Sequence, residues 1–151
     1  MRGLSFFADG ELFAVDVTLV KKVVRNMAFT PIPAAPGAVA GIANMKGGIV
    51  TVLCLAELLG RKSGAQAVNA VVFKPLTDGN DQMGLLIDKP GGLVDIDENE
   101  ILSLPRTASE GEKFCISGMT EVEGILYRII NVDSIISRFK NDDENVADTI
   151  S

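Results

Sequence analysis

The sequence predicts a mainly β fold of two small barrels with short helices, and three features carry that expectation. Glycine-marked tight turns separate short apolar runs, a proline-dense stretch interrupts any helix, and a strand-rich unit occurs twice. The duplication is the most informative of the three. Residues 39–59 align with residues 116–136 without a gap, at the constant offset of 77 that carries Gly41 onto Gly118. Met45 then falls on Val122, Gly47 on Gly124, Ile49 on Leu126, Val52 on Ile129, Leu53 on Ile130 and Leu58 on Ile135. Phe13-Ala14-Val15-Asp16 falls on Leu85-Leu86-Ile87-Asp88 at the nearby offset of 72. Two such units, each ending in a short helix, suggest paired barrels, because closing a sheet removes the edges that invite aggregation.

In chain order, Leu4 to Phe7 and Glu11 to Val17 flank Ala8-Asp9-Gly10, and Asp-Gly between apolar runs favours a hairpin that needs positive φ. Val20, Val23 and Val24 continue as a β segment, with a helical turn across Thr18 to Lys22 left open. Thr30 to Gly37 contains three prolines, which remove three donors and predict a rigid extended loop. Gly41 to Lys46 and Ile49 to Leu55 form a second hairpin across Gly47-Gly48. Ala56 to Leu59 then makes a short helix stopped by Gly60. Arg61 to Gln66 reads as a polar loop, and Ala67 to Phe73 pairs with Gln82 to Asp88 across a turn at Asp78-Gly79. Pro90-Gly91-Gly92 breaks the chain before a strand from Leu93 to Ile96, and Asp97 caps a helical turn. Pro105 to Lys113 is expected to be a loop. Phe114 to Glu121 and Gly124 to Asn131 form the last hairpin, followed by an amphipathic helix from Val132 to Phe139. The domain is expected to span residues 1–140, with 141–151 as an acidic, flexible tail.

A formal net charge of −6 argues against a nucleic-acid backbone or an anionic membrane as the main partner. Cys54 and Cys115 both sit inside apolar runs, as small buried thiols do, and the chain is read as cytoplasmic. No histidine occurs, which removes the commonest general base and metal ligand together. The two cysteines have no zinc spacing, and Asp95, Asp97 and Glu98 lack the pattern of a calcium loop. Lys46-Gly47-Gly48 is not a phosphate loop, because a strand rather than a helix follows. Asp16 and Asp88 form the only carboxylate pair that the duplication suggests, and structural hydrogen bonding accounts for both. No cofactor, metal or catalytic group is implied. Binding is what remains.

Several segments, read in order, resemble the CheW-like family. They are Phe7 to Val17, Val20-Lys21-Lys22-Val23, Ile32-Pro33-Ala34-Ala35-Pro36, Gly41 to Gly47 running into Ile49 to Leu55, and Gly84 to Asp88. The resemblance runs from about residue 4 to 139, and its most specific element is the Pro-x-x-Pro loop leading into Gly-Ile-x-Asn-x-basic-Gly. It implies two five-stranded SH3-like barrels around a shared hydrophobic core. It also implies a non-enzymatic adaptor between the cytoplasmic hairpin tip of chemoreceptors and a CheA-type histidine kinase, recruited to receptor arrays at the inner membrane. By matching positions, Val20, Lys22, Lys46, Ala70 and Leu93 would face the receptor, while Gly48, Ile49, Leu102 and Thr107 would face the kinase regulatory domain.

Plain core packing remains an alternative for Val20, Ala70 and Leu93, and a solvated turn for Lys46. Lys22 stands where the family commonly has an acidic residue, and Lys46 replaces an arginine, losing a planar fork. These departures bear on the partner, and a paralogous array controlling pili or surface motility would fit them. A sensory domain binding a metabolite between the barrels is the reading from another class.

Overall fold

Asp9 and Gly10 link the first two strands with φ of 51° and 77°, the positive-φ pair a two-residue hairpin turn demands. In the computed structural model, which describes residues 1–32, 38–46, 48–61, 68–75 and 82–139, this turn joins β1 (Arg2–Ala8) to β2 (Glu11–Asp16), with Ala8 opposite Glu11. A 3-10 turn over Val17–Leu19, capped by the Asp16 carboxylate, leads into β3 (Val20–Val24). Then follow β4 (Thr30–Pro31), β5 (Val39–Met45), β6 (Gly48–Cys54), α1 (Leu55–Leu58), β7 (Asn69–Phe73) and β8 (Gln82–Ile87). The chain continues through β9 (Lys89–Asp95), a 3-10 turn over Glu98–Glu100, α2 (Glu110–Cys115), β10 (Ile116–Val122), β11 (Ile125–Ile130) and α3 (residues 132–139). Expectations for residues 33–37, for Gly47, for most of the loops at 61–66 and 75–81, and for the tail at 141–151 lie outside the described residues.

The strands form two sheets, ordered β10-β11-β2-β1-β9 and β3-β7-β8-β6-β5-β4. The expected mainly β fold with short helices is what forms. Five-stranded pairing holds for the first sheet, while the second gains β4 as a sixth, two-residue strand. Reversing the second order aligns the sheets strand for strand: β5 with β10, β6 with β11, β8 with β2, β7 with β1 and β3 with β9. In both, the inner contact is parallel, β11 on β2 and β6 on β8. Ala14 faces Ile129 and Gly84 faces Val52, so this equivalence runs Ala14 to Gly84, two residues from the sequence alignment and on the same strand face. Even β4 has a counterpart, since Leu102 bridges Met119 as Thr30 bridges Ile42.

The chain changes sheets twice, from β2 to β3 and from β8 to β9. The main core is consequently shared. Phe6, Phe13 and Val15 of the first sheet meet Leu53, Val71, Phe73, Leu85 and Ile87 of the second, and Leu55, Leu58, Val132, Ile135 and Phe139 of α1 and α3 close over them. Each sheet keeps a smaller apolar cluster of its own, around Val50 and Ala70 in one and Ala14 and Ile129 in the other.

Three local expectations are corrected. Pro90-Gly91-Gly92 does not break the chain but lies within β9, an edge strand, where a missing donor costs no ladder bond. Residues 110–115 are helix rather than loop, so β10 starts at Ile116 and not at Phe114. Thr30-Pro31 of the proline-dense stretch pairs briefly with β5.

Candidate interaction surfaces

β3 lies at the edge of the second sheet and carries two of the proposed receptor residues. Val20 sits opposite Phe73, half-buried against the shared core, and Lys22 opposite Val72 projects into solvent. Neighbouring Ala70 is fully buried among Met27, Ala43, Val50 and Leu86. Its side chain has no free surface, and it pairs with Val24 of β3. Leu93 belongs to β9, the equivalent edge of the other sheet, and is 58% exposed.

Lys46 occupies the turn between β5 and β6 and is exposed. Gly48 opens β6 with φ of 143°, a value side chains rarely adopt, and pairs with Met45. Ile49 follows, opposite Asn44 and 54% exposed. One hairpin thus brings together Lys46, expected to face one partner, with Gly48 and Ile49, expected to face another. Leu102 is 68% exposed and held by reciprocal backbone bonds to Met119 of 2.7 and 2.8 Å. Thr107 is exposed in a turn closed by the Ala108 amide donating to the Pro105 carbonyl at 3.0 Å.

Sequence reasoning missed Ile125 and Leu126, which are exposed on β11. The signal was available, because the duplication sets Leu126 on Ile49. Phe7 was also missed; it is exposed on β1 with the Lys89 ammonium 5.2 Å from its ring centre.

Several titratable groups are occupied structurally. Asp16 accepts from the Thr18 amide at 3.0 Å, and Asp88 accepts from the Asp9 amide at 2.8 Å. Arg61, just beyond α1, reaches Asp9 at 3.2 Å and Glu11 at 3.0 Å, and Glu11 also receives Arg128 at 3.2 Å. Burial alone would lower the Arg61 pKa, but the hydrogen bonds and charges of Glu11 and Asp9 outweigh it and leave it raised. Cys54 and Cys115 are buried free thiols, and burial pushes Cys115 up to about 11 against the opposing charge of Arg138. Such a thiol stays protonated and unreactive at neutral pH.

Two clefts, of about 310 and 330 Å³, open beside α3. Among the described residues no cluster could hold a metal ion, and every buried side-chain nitrogen and oxygen has a hydrogen-bond partner. Again among the described residues, no helix is long and apolar enough to cross a membrane.

These features define a two-sheet β scaffold whose most exposed large apolar side chains stand on edges and hairpins. A CheW-like domain model matches residues 2–140, and the chain belongs to that family. It is 29% identical over 133 residues to the chemotaxis protein CheW of Thermotoga maritima, covering 88% of this chain and 85% of the relative. The chemotaxis protein CheW of Rhizobium meliloti is 24% identical over 132 residues, covering 87% and 84%. The crystal structure of scaffolding protein TtCheW from Thermoanaerobacter tengcongensis has the same fold, with a TM-score of 0.74 at 24% identity over 87% of this chain and 88% of that one.

Proposed function

We propose that this chain is a non-enzymatic adaptor that couples chemoreceptors to a CheA-type histidine kinase in chemotaxis-like signalling, working in the cytoplasm at receptor arrays on the inner membrane. One observation carries the reading. On a CheW-like chain, the three most exposed large apolar side chains among the described residues are Ile49, Leu93 and Leu102, each at a position where the family resemblance leads us to expect a partner. Keeping such groups in water costs free energy, which burial against another protein recovers. Val20 and Lys22 on β3, Lys46 at its hairpin and Leu93 on β9 serve the receptor tip. Gly48 and Ile49, with Leu102 beside β10 and Thr107 in the turn that follows Leu102, serve the kinase regulatory domain. Two modest contacts on one rigid body reinforce each other through effective concentration.

The experiment separates the two partners. Ile49→Asp is expected to weaken binding of the kinase regulatory domain at least about tenfold in titration calorimetry, since a charge would replace a central apolar anchor. Lys46→Glu is expected to lose capture by a receptor cytoplasmic fragment. Both variants should keep the parent circular dichroism spectrum, because both side chains are exposed. Unchanged affinity in either assay removes that residue from its surface, and unchanged affinity in both rejects the adaptor geometry.

A further inference from the structure

The offset of 77 that relates the two halves carries Arg61 onto Arg138, so an arginine stands at the same place near the end of α1 and of α3. The two are held differently. Arg61 reaches Asp9 at 3.2 Å and Glu11 at 3.0 Å, and those carboxylates balance its charge. Arg138 has no ion-pair partner among the described residues. Its guanidinium lies instead against two rings, with the central carbon 4.8 Å from the centre of Phe114 and 5.7 Å from that of Phe139. Such contacts attract a cation through the ring face and leave the N–H groups, which radiate in the guanidinium plane, free to donate.

Both arginines line the cleft of about 310 Å³ that α1 and α3 border, together with Ala38, Glu57, Leu58 and Phe139. Ala38, Leu58 and Phe139 are buried and give it apolar walls. Glu57 is exposed and, like Arg138, has no ion-pair partner among the described residues. With Arg61 balanced by its own carboxylates, the cleft offers one open cation, one open carboxylate and apolar surface. Its volume stands at the small end of the range of about 300–1,000 Å³ in which proteins hold small molecules.

We propose that this cleft binds a small zwitterion, an α-amino acid with a neutral apolar side chain. Arg138 takes the carboxylate through paired hydrogen bonds, Glu57 takes the ammonium group, and Ala38, Leu58 and Phe139 take the side chain. Glu57 opposes a dianion such as a phosphate ester, and Arg138 opposes a bare amine, because like charges repel. The rings of Phe114 and Phe139 hold Arg138 before a ligand arrives, so little rotamer freedom is lost on binding. The site goes beyond the adaptor reading and shares no residue with the surfaces proposed for receptor and kinase.

Titration calorimetry of the full chain with L-leucine tests this, beside isocaproate, which lacks the ammonium group, and isoamylamine, which lacks the carboxylate. Leucine is expected to bind with a Kd of about 1 mM or tighter, and each analogue at least about tenfold more weakly. Leucine should also raise the thermal unfolding midpoint, since it binds the folded chain alone. Arg138→Gln should weaken leucine binding about tenfold or more, and Glu57→Gln should abolish the preference for leucine over isocaproate. Both side chains are exposed, so each variant without ligand should unfold near the parent midpoint. If Arg138→Gln fails to fold, Glu57→Gln carries the test, because it alters selectivity and not merely affinity. Absence of both heat and midpoint shift at about 10 mM leucine overturns the proposal. Equal binding of leucine and isocaproate by the parent overturns it too, as do folded variants that bind as the parent does. Neither receptor nor kinase enters the assay, so its failure leaves the adaptor reading to its own titration.

Discussion

Gly41 and Gly118 show at the scale of one residue why the duplication survives in the sequence. A Cβ on Gly41 would overlap the Thr30 carbonyl oxygen, and one on Gly118 would lie 2.7 Å from the Leu102 carbonyl oxygen and 2.5 Å from Ile101 Cγ2. Both glycines allow the same approach, in which an outer segment crosses close to β5 or to β10. Gly92 is the contrast, because a Cβ there meets nothing within 4 Å and its φ is unexceptional. Gly41→Ala and Gly118→Ala are therefore expected to cost about 1–3 kcal/mol each through overpacking, while Gly92→Ala stays within about 0.5 kcal/mol. Urea denaturation midpoints at constant slope measure all three. Equal losses at Gly92 and Gly118 would mean that this close approach does not set the cost.

At the scale of elements, legibility followed locality. Asp9-Gly10 and Glu123-Gly124 have positive φ at both turn positions, which Asp9 and the two glycines favour and Glu123 does not, and both hairpins were readable from their turn glycines. β9 was not, because Pro90-Gly91-Gly92 signals a break unless its edge position is known, and that position depends on pairing with β1 far away in sequence. The alternation that marks a half-buried strand fails in β6, where Val50 to Cys54 are all buried and Ile49 alone is exposed, so its exposure could not be read from the pattern. The full burial of Ala70 is hidden from the pattern for the same reason, in a strand buried on both faces. α2 was missed although Ser109-x-x-Glu112 announces it: the Ser109 hydroxyl oxygen accepts from the Glu112 amide at 3.1 Å and donates to its carboxylate at 3.2 Å. Gly111, which argues against a helix, is explained by packing, since a Cβ there would meet the Leu58 carbonyl at 2.6 Å. Ser109→Ala is expected to cost about 1 kcal/mol and Ser109→Asp to recover most of it, because either oxygen satisfies the orphan amide. Chemical denaturation of both variants checks this, and an undiminished Ser109→Ala would show that docking on α1 suffices without the cap.

The whole molecule behaves as two sheets only on paper, because the chain threads β1 and β2 into one sheet, β3 to β8 into the other, and then returns. Phe6 and Phe13 stack at 5.7 Å between ring centres inside a core that the second sheet and all three helices also line. Neither sheet has a separate main core, so removing one would expose the apolar face of the other. The sequence repeat suggested two units, and it could not reveal that their cores are one, since sharing depends on which strands change sheets. Unfolding is therefore expected to be a single cooperative transition. The chain supplies its own probe: it has one tyrosine and no tryptophan, and Tyr127 lies on β11 of the first sheet. Tyrosine fluorescence reports that sheet alone, while far-ultraviolet circular dichroism reports both. The two melting curves should coincide, and Ile135→Ala, which hollows the shared core beneath α3, should move them together by about 2–5 kcal/mol of lost stability. Curves that separate, or a variant that lowers the fluorescence midpoint alone, would mean that the two sheets fold apart. Partners docked on opposite sheets could then not sense each other through the core.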